Sequence, residues 1–216
     1  MRRRATIAAV ANGEESGWSR RRNLLQAKYE QMAWDLFAQR GFREVTVDEI
    51  AEVAGVSART LFRYFPSKED FLLGFTRRGA HELVEMIAEL EPSPDPLQSI
   101  WQLVRAHSLQ SPPDVRLLTL WRRAAADAPE IHARVRGERV HALTEAVTSY
   151  CAKSMGAAGS DDPTPRLLAG VVVGVEMAVI ELWGRSGLTL PEILDAAEAT
   201  VPDLTRRRHG GAPDRR

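Results

Sequence analysis

Apolar residues recur at helical spacing along almost the whole chain, and strict polar–apolar alternation is nearly absent. Leu25, Tyr29, Met32 and Leu36 fall at i, i+4, i+7 and i+11, with Ala33 and Phe37 beside them, and so define one face of a helix. Gly41 stands where a C-terminal glycine would end it. Two short helical units are expected around Gly55, over 46–54 and 57–64. A longer helix should run from Ser67 to Leu90, with Phe71, Leu72, Phe75, Leu83, Met86, Ile87 and Leu90 on its apolar side. Pro92, Pro94 and Pro96 break the chain before Leu97, Ile100, Trp101 and Val104 resume the period. Beyond Ser111-Pro112-Pro113 a helix is expected through Trp121 to Asp127. The next, over 129–155, presents Leu143, Val147, Tyr150 and Cys151. A Gly/Asp/Pro-rich loop over 156–165, an apolar helix over 166–185 and a short helix opened by Pro191 complete the chain. Val171-Val172-Val173 has the composition of a strand, but an isolated strand has nothing to pair with, so helix is expected there too. The expected fold class is all-α, without internal repeats.

The segment Thr46–Tyr64, TVDEIAEVAGVSARTLFRY, joins several local signals. Thr46 with Glu49 forms a capping box, each side chain satisfying an orphan backbone N–H at a helix start. Ile50, Ala51 and Ala54 make an apolar face, Gly55 permits a sharp turn, Val56 fills the corner, and Ser57 caps a second helix. Two short helices across a Gly-containing turn are either an ordinary helical hairpin or the DNA-reading helix-turn-helix, whose second helix enters the major groove.

Charge bears on that choice. Over 216 residues, 29 Lys+Arg balance 29 Asp+Glu, which seems to argue against a polyanion partner. Residues 1–78, however, hold 14 basic and 10 acidic residues, net +4, and residues 79–216 hold 15 and 19, net −4. A basic half is joined to an acidic one. The lone Cys151 excludes an internal disulfide framework and suits a reducing compartment. Arg2-Arg3-Arg4 is not followed by the apolar stretch of a signal peptide, since Asn12, Gly13, Glu14 and Glu15 interrupt it. The most apolar run, Leu167–Ile180, has 14 residues and contains Glu176, too short for a membrane span of about 20. A cytoplasmic protein with no membrane partner is expected.

Residues 22–75 resemble the DNA-binding domain of the TetR family of bacterial transcriptional regulators. The matching elements are Leu36-Phe37-Ala38-Gln39-Arg40-Gly41-Phe42, Thr46-Val47-Asp48-Glu49-Ile50-Ala51, Ala54-Gly55-Val56-Ser57, Thr60-Leu61-Phe62-Arg63-Tyr64-Phe65 and Ser67-Lys68-Glu69-Asp70, in this order. The resemblance implies an N-terminal three-helix helix-turn-helix domain and a larger helical ligand-binding and dimerisation domain. The expected boundaries are a disordered tail over 1–19, the DNA-binding domain over 20–75, the effector and dimer domain over 76–205, and a second disordered tail over 206–216.

The resemblance also implies site residues. Ala58, Arg59 and Thr60 open the second helix and face base edges. Arg59 has the chemistry to bind guanine O6 and N7 bidentately, or else to pair with phosphate alone. Thr60 suits a thymine methyl or a phosphate oxygen, and Ala58 offers only an apolar contact. Phosphate contacts are expected from Arg22, Thr46, Ser57, Tyr64 and Lys68. Lys68 is a cation in the first turn of a helix, where the dipole disfavours it, and a phosphate would offset that penalty. A solvated lysine is the competing reading. Arg20-Arg21-Arg22 form a basic arm ahead of the first helix. Phe62 departs from the family's usual Tyr and is expected to pack, while Leu61 and Phe65 bury against the first helix.

In the second half the resemblance implies that the helices near 130–155 and 166–186 pair with a second subunit, placing Leu143, Val147, Gly170, Gly174 and Trp183 at a dimer interface. Intrachain core is the alternative. Met86, Trp101, Trp121, Glu176 and Met177 are candidates for an effector pocket, with Glu176 as its orienting polar group. Enzymatic readings fare poorly. The five histidines include no i, i+3 or i, i+4 pair, Cys151 sits on an apolar face, and no phosphate-cradling Gly loop occurs, so no catalytic residue, metal or cofactor is expected. The leading reading is a ligand-responsive homodimeric repressor that binds a palindromic DNA operator and is released by a small-molecule effector. The alternative is a small-molecule-binding or scaffold protein with vestigial DNA binding.

Overall fold

The structure is a computed structural model and describes residues 17–110, 114–157, 159, 161–183 and 185–200, with side chains from Arg21 onward. Nine α-helices and no strand occur among the described residues. They are α1 (Gly17–Arg40), α2 (Val47–Ala54), α3 (Ala58–Phe62), α4 (Asp70–Ala88), α5 (Pro96–Gln110), α6 (Val115–Ala124), α7 (Pro129–Met155), α8 (Thr164–Leu182) and α9 (Leu190–Thr200). The all-helical expectation holds. The tails expected over 1–16 and 206–216 lie outside the described residues, whereas 17–19 belong to α1.

The chain divides into two compact units, Met1–Phe75 with Arg123–Ala128, and Thr76–Arg122 with Pro129–Arg216. In the first unit, α1 buries Tyr29, Glu30, Ala33, Trp34 and Phe37. This face is rotated from the one expected, because Leu25, Met32 and Leu36 are only half-buried. The aromatic residues explain the rotation. Trp34 meets Phe75 edge-on at 5.5 Å and donates its indole N–H to the Phe71 carbonyl at 2.7 Å, as a buried Trp must find an acceptor. Phe65 stacks on Phe71 at 4.0 Å, and Phe37 meets Phe42 at 5.0 Å.

Gly41 ends α1 at φ +91°, and its N–H donates to the Phe37 carbonyl. A Cβ there would lie 2.9 Å from the Asp127 carboxylate, so both conformation and space require glycine. Helix α4 begins three residues later than expected. Ser67 to Asp70 form a tight turn closed by i→i+3 bonds, with the Asp70 carboxylate accepting from the Ser67 N–H and hydroxyl. The apolar period alone cannot register that cap.

The second unit packs Leu83 and Ile87 of α4, Leu97, Ile100 and Val104 of α5, Leu143, Val147, Tyr150 and Cys151 of α7, and Ala169, Val172 and Val173 of α8 into one core. Burying twelve such residues is the main stabilising term of the unit. Two polar ties cross this core. Arg139 of α7 forms a shielded ion pair with Glu176 of α8, the two side chains 15% and 8% exposed. Arg77 of α4 grips Glu138 of α7 bidentately at 2.7 and 2.9 Å. Arg122 caps the C-terminal end of α8 by donating to the carbonyls of Ile180 and Trp183.

Candidate nucleic-acid interface and sensor core

The expected capping box is present at the start of α2. The Glu49 N–H donates to Thr46 Oγ1 at 3.3 Å, and the Glu49 carboxylate accepts from the Thr46 N–H at 2.7 Å. The Thr46 hydroxyl also donates to Glu49, at 2.9 Å. That backbone N–H, then Arg40 at 2.7 Å, hold the Glu49 carboxyl well below its ordinary range, at about 2. Thr46 therefore has its own N–H and hydroxyl engaged within the protein. Any phosphate at this helix start meets the remaining first-turn N–H groups beside a fixed negative charge.

Gly55 follows α2 at φ +67°, and the Val56 N–H returns to the Ala51 carbonyl, which turns the chain sharply into α3. Ser57 caps α3 by accepting from the Thr60 N–H at 3.2 Å, and its hydroxyl shares a 2.9 Å bond with the Thr60 hydroxyl. Leu61 and Phe65 are fully buried and seat α3 in the unit, as expected. The opposite face carries Arg59, Phe62 and Arg63 at i, i+3 and i+4, all exposed. Ala58 and Thr60 are half-buried beside them.

Phe62 reverses its expectation. It is 48% exposed rather than packed, because the buried side of this short helix is already filled by Leu61. Tyr64 is half-buried, edge-on to Tyr29 at 5.5 Å, with the Arg63 guanidinium 5.4 Å from its ring centroid. Arg21 and Arg22 are exposed on α1 itself, so they form a helical turn and not an arm ahead of the helix.

Lys68 also departs from its expected role. Its ammonium donates to the carbonyls of Phe42, Val45 and Arg43 at 2.9, 3.1 and 3.4 Å, and it sits 4.4 Å from the centroid of the Phe42 ring. An ammonium has three donors, and all three are directed at the chain between α1 and α2. These carbonyls offset the penalty of a cation near a helix start within the protein itself. Asp127 holds the same turn, accepting from the N–H groups of Phe42 at 3.0 Å and Arg43 at 3.4 Å. Burial opposes its charge, but these backbone bonds prevail and lower its pKa. Nothing in the sequence marks Asp127, which lies 85 residues from its partner.

In the second unit the expected interface and pocket sets both come apart. Leu143 and Val147 face inward and belong to the chain's own core, and Trp183 is buried; none of the three is free for a partner. Gly170 and Gly174 are exposed, and a Cβ at either would meet nothing within 4 Å. They share an outward face of α8 with Ala178 and two large residues, Leu167 at 67% and Leu182 at 48% exposure.

Of the pocket candidates, Trp101 lines a cleft between α5, α8 and α9. Met177 packs against the core and Met86 is half-buried on α4. Trp121 is buried edge-on against His132 at 4.7 Å, where burial and then Arg136, Arg122 and Arg185 lower the histidine's pKa. Glu176 is turned to Arg139. The period of α8 places a carboxylate among aliphatic residues, but only the fold shows which cation answers it.

A helix-turn-helix whose exposed reading face is basic, joined to a larger helical unit, defines the class of DNA-binding transcriptional regulators. Residues 31–74 match the family described as bacterial regulatory proteins of the tetR family, and residues 96–204 match the MftR C-terminal domain. The chain is 26% identical over 190 residues to a Mycobacterium tuberculosis protein with the provisional name mycofactocin biosynthesis transcriptional regulator MftR, covering 85% of this chain and 92% of that protein. A TetR-family transcriptional regulator structure from Syntrophomonas wolfei superposes with a TM-score of 0.64 at 15% identity, covering 88% of this chain and 99% of that one. The Thermus thermophilus repressor FadR, solved in complex with lauroyl-CoA, superposes at 0.52 with 23% identity, over 87% and 98% of the two chains. The chain belongs to the TetR family of DNA-binding transcriptional regulators. No helix among the described residues is long and apolar enough to cross a membrane.

Proposed function

We propose that the protein is a homodimeric repressor that binds a palindromic operator with one α3 in each half-site and leaves it when a small molecule occupies the second unit. The observation that carries the DNA reading is the exposed Arg59–Phe62–Arg63 face on a helix anchored by buried Leu61 and Phe65. Arg59 has the reach and donor pattern to take guanine O6 and N7. The half-buried Ala58 and Thr60 give that helix a close apolar approach to base edges. Arg63 on this face, with Arg22 of α1 and Tyr64 after α3, are the phosphate contacts of the reading. Phe62 has no hydrogen-bonding group, so the major-groove feature it fits is the thymine methyl.

The dimer reading rests on the outward face of α8. Two large apolar residues flank a strip of small ones, which lets a second helix approach closely and gives Leu167 and Leu182 something to bury against. A twofold axis through this face would relate the two α3 helices by the symmetry of a palindromic site. The ligand acts by binding the DNA-free and DNA-bound states unequally. The similarly folded repressor FadR was solved in complex with lauroyl-CoA, which supports a ligand-responsive reading here.

The experiment is a gel shift on a duplex selected by the protein itself, titrated with fractions of a cell extract. Release by one fraction and not by others is expected. Retained binding in every fraction would overturn the ligand-responsive part and leave DNA binding standing.

A further inference from the structure

The turn between α1 and α2 is threaded by alternating charges, one of which comes from residue 127. Asp127 accepts from the N–H groups of Phe42 at 3.0 Å and Arg43 at 3.4 Å. Lys68 donates to the carbonyls of Phe42 at 2.9 Å, Val45 at 3.1 Å and Arg43 at 3.4 Å. The Phe42 carbonyl and the Arg43 N–H are opposite ends of one trans peptide group, which therefore stands between the ammonium and the Asp127 carboxylate. The arrangement recurs one step on. Lys68 holds the Val45 carbonyl, and the Thr46 N–H of that same peptide donates to the Glu49 carboxylate at 2.7 Å. Glu49 in turn pairs with Arg40 at 2.7 Å.

Opposite charges at the two ends of a peptide group polarise it and strengthen both bonds. Asp127, Lys68, Glu49 and Arg40 are thus coupled through two backbone peptides. All of them belong to the first unit, because Arg123–Ala128 is part of it. Ala124, Ala125 and Ala128 of that segment are fully buried, so Asp127 stands on a fixed backbone. The far end of the line is the capping box that starts α2, and α2 leads across the Gly55 turn into α3.

We propose that Asp127 is a positioning residue for DNA reading, acting through Lys68 and Glu49 to fix the start of α2 and with it the seat of α3. The segment that carries it lies outside residues 31–74, the stretch that matches the family's N-terminal domain, and completes the reading unit from far along the chain. The role rests on the DNA reading proposed above, but the coupling itself is measured without DNA.

The test follows hydrogen exchange in the full-length ¹⁵N-labelled protein at the amides of Phe42, Arg43 and Thr46, in Asp127→Ala, Lys68→Met and the double variant. Asp127→Ala removes the acceptor of the first two, which exchange faster on any account. Thr46 discriminates, because its N–H bonds to Glu49 and not to Asp127. Its exchange is expected to rise about 2- to 4-fold in Asp127→Ala, the share of a charged hydrogen bond that polarisation supplies. In the Lys68→Met background, Asp127→Ala should leave Thr46 unmoved, since the link is already cut. On a duplex selected by the wild-type protein, Asp127→Ala should bind about 5-fold more weakly, because a loosened α2 must be ordered again on binding. The salt slope should stay at its wild-type value, as no phosphate contact is lost. Asp127→Asn keeps an oxygen for the Phe42 N–H and should fall between the two.

A Thr46 amide that ignores Asp127→Ala overturns the coupling. So does a Thr46 response that persists in the Lys68→Met background, which marks general loosening. Operator affinity that is unchanged or raised in Asp127→Ala overturns the positioning role even where the amides respond. If the wild-type protein selects no duplex, the DNA reading fails and takes the role with it, while the amide coupling stands on its own.

Discussion

Replacing Lys68 by methionine separates two roles that a lysine at this position can fill. Methionine keeps the length of the apolar stem and deletes the ammonium, so packing changes little and three carbonyls lose their donor. A hydrogen bond to a charged group contributes about 1.5–3 kcal/mol taken singly. The three here share one ammonium and the residue is only half-buried, so solvent takes over part of the loss. The cation over Phe42 adds about 0.5–1 kcal/mol. A total of about 2–3 kcal/mol follows, which for a chain of this size lowers Tm by roughly 5–10 °C. Thermal unfolding followed by helical circular dichroism measures this directly. Well below the new midpoint, the salt dependence of operator binding should keep its wild-type slope, because no phosphate contact has been removed. The opposite pair of results would refute the reasoning: an unchanged Tm with a slope shallower by about 0.9 makes Lys68 a phosphate contact.

Three further predictions concern the reading face, the dimer and acid stability. Arg59→Ala should cost ~1–3 kcal/mol and relax preference at one base position per half-site, and Phe62→Ala should abolish the penalty of replacing one thymine by uracil; equal losses on every sequence would remove both residues from base reading. Gly170→Arg should give a folded monomer by sedimentation, with wild-type helicity and weakened operator binding, since the chain itself leaves that position open; a variant that sediments as the dimer would exclude this face. Glu138 is held at about 2, first by its hydrogen bond from Arg77. Its folded pKa is depressed, so its contribution is complete above the ordinary carboxylate range and is lost as pH falls from there towards 2. With both side chains more than a third exposed, screening leaves this at about 1 kcal/mol. Glu138→Gln should flatten the acid limb of a stability–pH curve between pH 5 and about 2; an unchanged limb would show that the bond contributes nothing.

The sequence shows best what is local. The capping box of Thr46 and Glu49, the turn at Gly55 and the cap at Ser57 each arise from residues within four positions, and all three are present in the fold. Helix order is equally legible, since the i, i+3, i+4 period needs no partner to be seen. What escapes the sequence is set by contacts between distant residues. Trp34 fixes the rotation of α1 through Phe71 and Phe75, and Asp127 holds a turn 85 residues away. The period of α7 correctly marks Leu143 and Val147 as apolar, but it cannot say whether the chain's own α8 or a partner covers them. Phe62 shows the same limit in reverse. An aromatic residue in a short helix reads as core until Leu61 is seen to occupy the single buried side. Lys68 carries the right charge for phosphate, and only the path of the preceding loop shows three carbonyls converging on it.

The central claim is that this helix-turn-helix reads DNA sequence as a symmetric pair. Its most direct test is selection of bound duplexes from a random pool by the full-length protein, at fixed salt and with non-specific competitor. The account predicts convergence on an inverted repeat whose half-site centres lie about one helical turn apart, or a multiple of it, and which Arg59→Ala binds less selectively. A pool that never enriches, or binding that the competitor removes without regard to sequence, would contradict it.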